Sequence, residues 1–126
     1  MRAALEQVGL DHVDGFYAGS AERIQRALHP HLQKVTVARL ENGREIFACS
    51  MTDALVEYSR SGQATKPEDQ RHVKARIDDV FGNAASLRID SADFVDFAHV
   101  ARLNGEWKIV NVVWVARSKQ DLRGCA

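Results

Sequence analysis

Asp96 and Asn111 are the residues whose types and spacing first suggest chemistry in this sequence. They flank an Asn104–Gly105 pair inside the stretch DFVDFAHVARLNGEWKIVNVVW, residues 93–114. Asn-Gly between two β-rich runs is a strong hairpin signal, because a type I′ turn needs positive φ at both central residues. A two-residue turn pairs Leu103 with Glu106, Arg102 with Trp107, Val100 with Ile109 and Ala98 with Asn111. Asp96, Trp107 and Asn111 then share one face with Ala98, Val100, Arg102, Ile109 and Val113. Phe97, His99, Val110, Val112 and Trp114 fall on the other, with Val95, Ala101, Leu103 and Lys108. A carboxylate among apolar side chains has its pKa raised, which suits general acid or base work. An Asp96–Asn111 hydrogen bond that holds sheet curvature accounts for the same pair without catalysis.

The remaining candidates are scattered. Tyr17 closes the apolar face of a helix, so its hydroxyl either meets a ligand or is satisfied at a core rim. His29 and His31 flank Pro30, but no third ligand stands at metal-binding spacing, and no metal is assigned. His29 reads as a pocket residue or as a side chain bonded to backbone after a helix. His12, on an apolar helix face, reads as a satisfied core histidine. His99 lies on the hairpin face opposite Asp96, which argues against a dyad. It would make association through that face pH-sensitive. Cys49 and Cys125 lack any Cys-x-x-Cys or Cys/His setting, and there is no glycine-rich phosphate loop, so no cofactor is implied.

The 126 residues suffice for one domain, expected over 1–126 with an ordered core at about 3–116. Lys+Arg and Asp+Glu are equal at 17 each, which argues against nucleic acid or an anionic membrane as partner. Without a transmembrane run, a signal-peptide pattern or a disulfide framework, the expected compartment is the cytoplasm.

Periodicity supplies the elements that must position these side chains. Leu5, Val8, Gly9, His12, Val13, Phe16 and Tyr17 follow a helical stripe, with Glu6, Gln7, Asp11 and Asp14 opposite. Gly19 suits the helix end and Ser20 the cap of a short second helix, to about Leu28, closed by Pro30. Residues 33–40 and 44–49 read as strands around Asn42–Gly43. Ser50 opens a Ser-x-x-Asp cap for a third helix running to about Ser59. Residues 60–70 read as a mobile polar loop. Residues 73–81 and 84–90 are strands around Gly82–Asn83, and matching their apolar faces requires an odd loop or a bulge, which Gly82 permits. The tail after Ala116 is expected to fray. The order α-α-β-β-α-β-β-β-β predicts an α+β fold with helices on one face of a curved antiparallel sheet.

The run Asp14-Gly15-Phe16-Tyr17-x-Gly19, the helix end Leu28-His29-Pro30, and Asp96-Phe97 leading through Asn104-Gly105-x-Trp107-Lys108-Ile109-Val110-Asn111 resemble a known family. It is the "Putative lumazine-binding" family of the nuclear transport factor 2-like superfamily, and the resemblance spans roughly Leu5 to Val115. That superfamily includes SnoaL-like cyclases, ketosteroid isomerase and scytalone dehydratase. The resemblance implies a cone: a bent sheet around helices, a cavity between them, and homodimers paired through the outer sheet face. Ketosteroid isomerase also needs a carboxylate base early in the sheet, and residues 33–40 hold none. The leading expectation is a small-molecule-binding protein of unassigned ligand, with Tyr17, His29, Asp96, Trp107 and Asn111 at the site. The alternatives are an isomerase, dehydratase or cyclase with Asp96 as proton shuttle and Tyr17 on the oxyanion, or a non-enzymatic dimerisation module.

Overall fold

The computed structural model describes residues 1–117. The tail expected to fray, and Cys125, lie outside the described residues. Helices α1 (Arg2–Ala18) and α2 (Ala21–Ala27) lead into strands β1 (Leu28–Arg39) and β2 (Glu45–Met51). Helix α3 (Thr52–Ser61) and one 3-10 turn (Glu68–Gln70) then lead to β3 (Lys74–Phe81), β4 (Ala84–Asp90), β5 (Phe94–Leu103) and β6 (Glu106–Ala116). The strands join in one curved, unclosed sheet of order β2-β1-β6-β5-β4-β3. Among the described strands only β1 and β6 run parallel; the other neighbours are antiparallel. This is the expected α+β architecture.

Helix α1 buries Leu5, Gly9, His12, Val13 and Tyr17, the stripe that periodicity predicts. It stops at Gly19, whose φ of 68° is open to glycine without a Cβ penalty. Ser20 Oγ then accepts from the Arg23 amide at 3.3 Å and starts α2. Asp11, placed on the solvent side by the sequence, is buried instead. Arg23 Nε reaches it at 3.0 Å, and Arg26 Nε and Nη2 reach it at 3.0 Å. Burial works to raise its pKa, but Arg26, Gln7 and Arg23 hold the carboxyl below the usual range. The charged clamp fixes α2 against α1.

Local punctuation departs from expectation in three places. Pro30 lies inside β1, where the β1–β6 register breaks between Leu28 and Gln33; a missing N–H is tolerated at such an irregularity. Ser50 belongs to β2, and α3 begins at Thr52 with no side-chain cap. The Thr52 hydroxyl is taken by the His29 carbonyl at 2.5 Å. The loop expected to be mobile is latched: the Lys66 amide donates to Tyr17 O at 3.0 Å and the Ala92 amide to Arg71 O at 2.8 Å. Of the two expected ways to match β3 and β4, an odd loop or a bulge at Gly82, the structure uses a bulge, placed instead at Asp78 between the Ile77–Leu87 and Asp79–Ser86 pairs.

Gly9 sets how closely α1 approaches the sheet. A Cβ there would stand 3.1 Å from Ala75 Cβ and 3.2 Å from Ile89 Cγ1. A Gly9→Val variant is therefore expected to lose about 1–3 kcal/mol of stability by overpacking, read from urea unfolding. A midpoint equal to that of the parent protein would show that the helix can lift at no cost.

Candidate active or binding site

The hairpin turn forms as read: φ is 52° at Asn104 and 81° at Gly105, and Arg102 faces Trp107. Higher up, one extra residue enters β6. Val100 pairs with Ile109, but His99 pairs with Asn111 and Ala98 with Val112. A bulge reverses the faces beyond it. Asp96 therefore keeps its inward position and Asn111 loses it. Asn111 is exposed on the outer face, where its Oδ1 accepts from His99 Nδ1 at 2.8 Å. Val112 and Trp114 take the inner positions instead.

Asp96 is fully buried, and its partners come from two other elements. Lys34 of β1 donates to Asp96 Oδ2 at 2.9 Å. His12 of α1 brings Nε2 to 3.1 Å from the same oxygen and 3.0 Å from Lys34 Nζ. His12 is 1% and Lys34 8% exposed, so water screens the cluster little. Burial and the Lys34 charge hold the His12 pKa below its ordinary value against the pull of Asp96. Burial works to raise Asp96, but Lys34 and His12 outweigh it and keep the carboxyl below the usual range. The raised carboxyl pKa expected from an apolar pocket is thus reversed by the neighbouring ammonium. His12 Nδ1 and Asp96 Oδ1 are buried with no hydrogen-bond partner. The Lys34 ammonium also lies 5.4 Å from the Phe94 ring centre and 5.9 Å from that of Trp114. Both rings are half-buried on the inner face.

Reading the sequence missed two of these three residues as a site. In residues 33–40 the apolar set Val35 and Val37 faces outward, and Lys34 and Thr36 face the interior. Alternation alone selects the wrong face of that strand. His12 was placed correctly in the core, and its partner there is Asp96.

The other expected site residues lie apart. The Tyr17 hydroxyl sits at 3.1 Å from both Ser91 Oγ and Asp93 Oδ2, and accepts from the Asp93 amide at 3.1 Å. Burial pushes the phenol up to about 12, and the group is committed to the β4–β5 turn. Trp107 faces inward under the Arg102 guanidinium, which lies 5.3 Å from its ring centre. It lies near the hairpin tip, about 20 Å along the strands from Asp96 at some 3.4 Å per residue. His29 Nδ1 accepts from the His31 amide at 3.1 Å, and the two rings are 5.4 Å apart. Among the described residues no group of His, Cys, Asp and Glu is placed to hold a metal ion. A groove of about 490 Å³ runs between α2, β1 and α3, lined by Leu28, Pro30, Thr52, Val56 and Arg60 among others; the three cluster residues are not among its lining.

Two tests address the cluster. Removing one partner of a buried ion pair strands the other, at a cost of about 3–5 kcal/mol, whereas an apolar replacement of both is often neutral. Lys34→Met is expected to show that loss in urea unfolding, and Lys34→Met with Asp96→Leu to recover most of it. Equal losses in single and double variants would show no coupling. The depressed His12 pKa also sets a pH dependence. Above about 6.5 the folded and unfolded chains hold this imidazole alike. As pH falls below 6.5 the unfolded chain takes a proton that folded His12 refuses, so stability drops. His12→Gln should flatten that slope; an unchanged slope would assign it to other groups.

The sequence profile of the family described as "Putative lumazine-binding" matches residues 1–115. No curated protein matches the chain by sequence. Among solved structures, an NTF-2 like protein of unknown function from Silicibacter pomeroyi superposes with a TM-score of 0.70 at 23% identity, over 92% of this chain and 95% of that one. An NTF2-like protein of unknown function from Shewanella baltica gives 0.73 at 21% identity, over 93% and 94%. A "Putative Scytalone Dehydratase" from Novosphingobium aromaticivorans gives 0.61 at 14% identity, over 93% and 84%. At these identities the structures establish the shared fold, and the profile match over nearly the whole described chain establishes the family: this protein belongs to the "Putative lumazine-binding" family and has the nuclear transport factor 2-like, cystatin-like fold.

Proposed function

We propose that the protein binds a small, flat, polar organic molecule against the Lys34–His12–Asp96 cluster. The observation that carries this reading is the convergence of three buried titratable side chains from α1, β1 and β5 with two polar atoms left unpartnered. A buried polar atom without a partner costs about 1–3 kcal/mol. Apolar residues of similar volume would serve the core as well or better, so retention of the cluster favours a role in recognition. The rings around it suit a planar ligand. Tyr58, 38% exposed, packs 5.3 Å from Phe16, which lies 6.0 Å from Phe94, and Phe94 lies 5.8 Å from Trp114. The family description supports a small-molecule ligand of this kind.

A second reading is proton transfer, as in an isomerase or dehydratase. The favouring observation is His12 Nε2 at 3.1 Å from Asp96 Oδ2 in the interior, with both groups held below their ordinary pKa values. On this reading Asp96, paired with Lys34, is the orienting group rather than the shuttle, and the Tyr17 hydroxyl is bonded to Ser91 and Asp93. His12 would move the proton, Asp96 would orient it, and Lys34 would offset charge developing on the substrate oxygen.

The outer sheet face is proposed as the contact with a second copy of the chain. Val113 lies beside Val35 and Phe97, and Val37 beside Phe47. Phe47 is 71%, Val113 46% and Phe97 45% exposed, a contiguous apolar surface of the kind that marks association. His99 and Asn111 lie within it.

A thermal-shift screen with lumazine, flavins and planar enones tests the binding reading. A ligand that occupies the cluster raises the melting temperature of the parent protein and loses that effect in Asp96→Asn. A hit with equal effect in both proteins would move the site elsewhere. For the second copy, sedimentation should show a dimer that Val113→Lys converts to monomer; a monomeric parent protein would overturn that contact.

A further inference from the structure

We propose that strand β2 pairs edge to edge with β2 of a second copy of the chain, antiparallel about a two-fold axis at Ala48, so that the sheet continues from one copy into the next. The two outer strands of the sheet are β2 and β3. Strand β3 is protected against such pairing: it carries Lys74, Arg76, Asp78 and Asp79, and a bulge interrupts it at Asp78. Strand β2 reads EIFACSM, with Glu45 its one charged residue, and its pairing with β1 is unbroken from Glu45 to Met51. Phe47 is 71%, Met51 51% and Ile46 48% exposed. A regular, apolar edge of this kind is a template for another strand.

The backbone sets the register. The Leu40 amide donates to the Arg44 carbonyl at 2.8 Å. The antiparallel ladder continues through Arg39–Glu45, Ala38–Ile46 and Val37–Phe47. Bonded and non-bonded pairs alternate in such a ladder. Ile46, Ala48 and Ser50 therefore bond β1. Glu45, Phe47 and Cys49 turn their N–H and C=O groups outward, and Met51 its N–H. Among the described residues no other backbone segment bonds these groups. With the axis at Ala48, Phe47 and Cys49 each exchange both bonds with the other's copy, and the Met51 amide donates to the Glu45 carbonyl of the second copy. The side chains are self-complementary in this register: Phe47 lies against Cys49, Ile46 against Ser50 and Glu45 against Met51. The two Glu45 carboxylates stand at opposite ends, whereas parallel in-register pairing would set them together. Moving the axis to Phe47 or Cys49 leaves part of the strand unpaired. The contact lies in the plane of the sheet, so it is separate from the proposed outer-face contact.

Disulfide trapping tests the pairing. At the axis the two Ala48 Cα atoms would stand about 4.5 Å apart, within reach of a disulfide. The two Ile46 Cα atoms would stand about 13 Å apart along the strands. In a Cys49→Ser, Cys125→Ser background treated with diamide, Ala48→Cys is expected to form covalent dimer about tenfold faster than Ile46→Cys. Random collision would favour Ile46, which is the more exposed, so equal rates or the reverse order would overturn the proposal. Using Cys49→Pro in place of Cys49→Ser deletes an outward N–H and no bond to β1. That variant should melt cooperatively and lose the fast cross-link; a cross-link formed at the same rate would rule out backbone pairing at this edge. Adding Val113→Lys should leave the cross-link intact. Its loss there would mean that the thiols meet through the outer face, and the edge contact would fall.

Discussion

The ion pair between Lys34 and Asp96 is the constraint around which this interior is arranged. Both ends are removed from water, where an unpaired charge is costly. The pair ties β1 to β5, which are not neighbours in the sheet because β6 lies between them. His12 adds α1 to the same point. Sheet curvature and helix position must therefore agree at one place to within hydrogen-bond tolerance. Gly9 permits this by letting α1 settle on Ala75 and Ile89, three residues before His12. The arginine clamp on Asp11 holds α2 to the same helix.

The sheet reverses the common arrangement in part. Around the cluster, the inner face of β1 carries Lys34 and Thr36, and its outer face carries Val35 and Val37. A soluble sheet usually buries its apolar set and exposes its polar set. Here the interior holds a polar cluster, and the outer apolar surface is contiguous across β2, β1, β6 and β5. Both features fit the proposed division of labour: ligand recognition inside, self-association outside. The β6 bulge shapes both faces, because it turns Val112 and Trp114 inward and Asn111 outward.

The aromatic groups link the cluster to the latched loop. Lys66 bonds Asp93 and lies 5.9 Å from the Tyr17 ring centre, and Tyr17 stacks on Phe94 at 5.7 Å. Tyr17 is thus a structural neighbour of the cluster rather than a free phenol. Its hydroxyl fixes the β4–β5 turn, from which Phe94 begins the strand that presents Asp96.

Local chemistry in the sequence determined a good deal. The α1 stripe, the left-handed end at Gly19, the Ser20 cap, the Asn104–Gly105 turn and the need for an odd loop or a bulge between β3 and β4 follow from short-range sterics and hydrogen bonding. Such forces act within a few residues and leave a periodic trace. The order of elements, and the family-like run from Asp14 to Gly19, followed at the same level. The site did not. Residues 109–115 are apolar except for Asn111, so alternation carries no mark of the bulge that turns Asn111 outward. Lys34 alternates with valines that a single-strand reading places inside. Asp11 looks solvent-facing until Arg23 and Arg26 fold over it. Each of these outcomes depends on charges and backbone registers far apart in the chain, from His12 to Asp96. Only the tertiary structure, by bringing an ammonium against a carboxylate in a low-dielectric interior, decided which polar residues meet in the core.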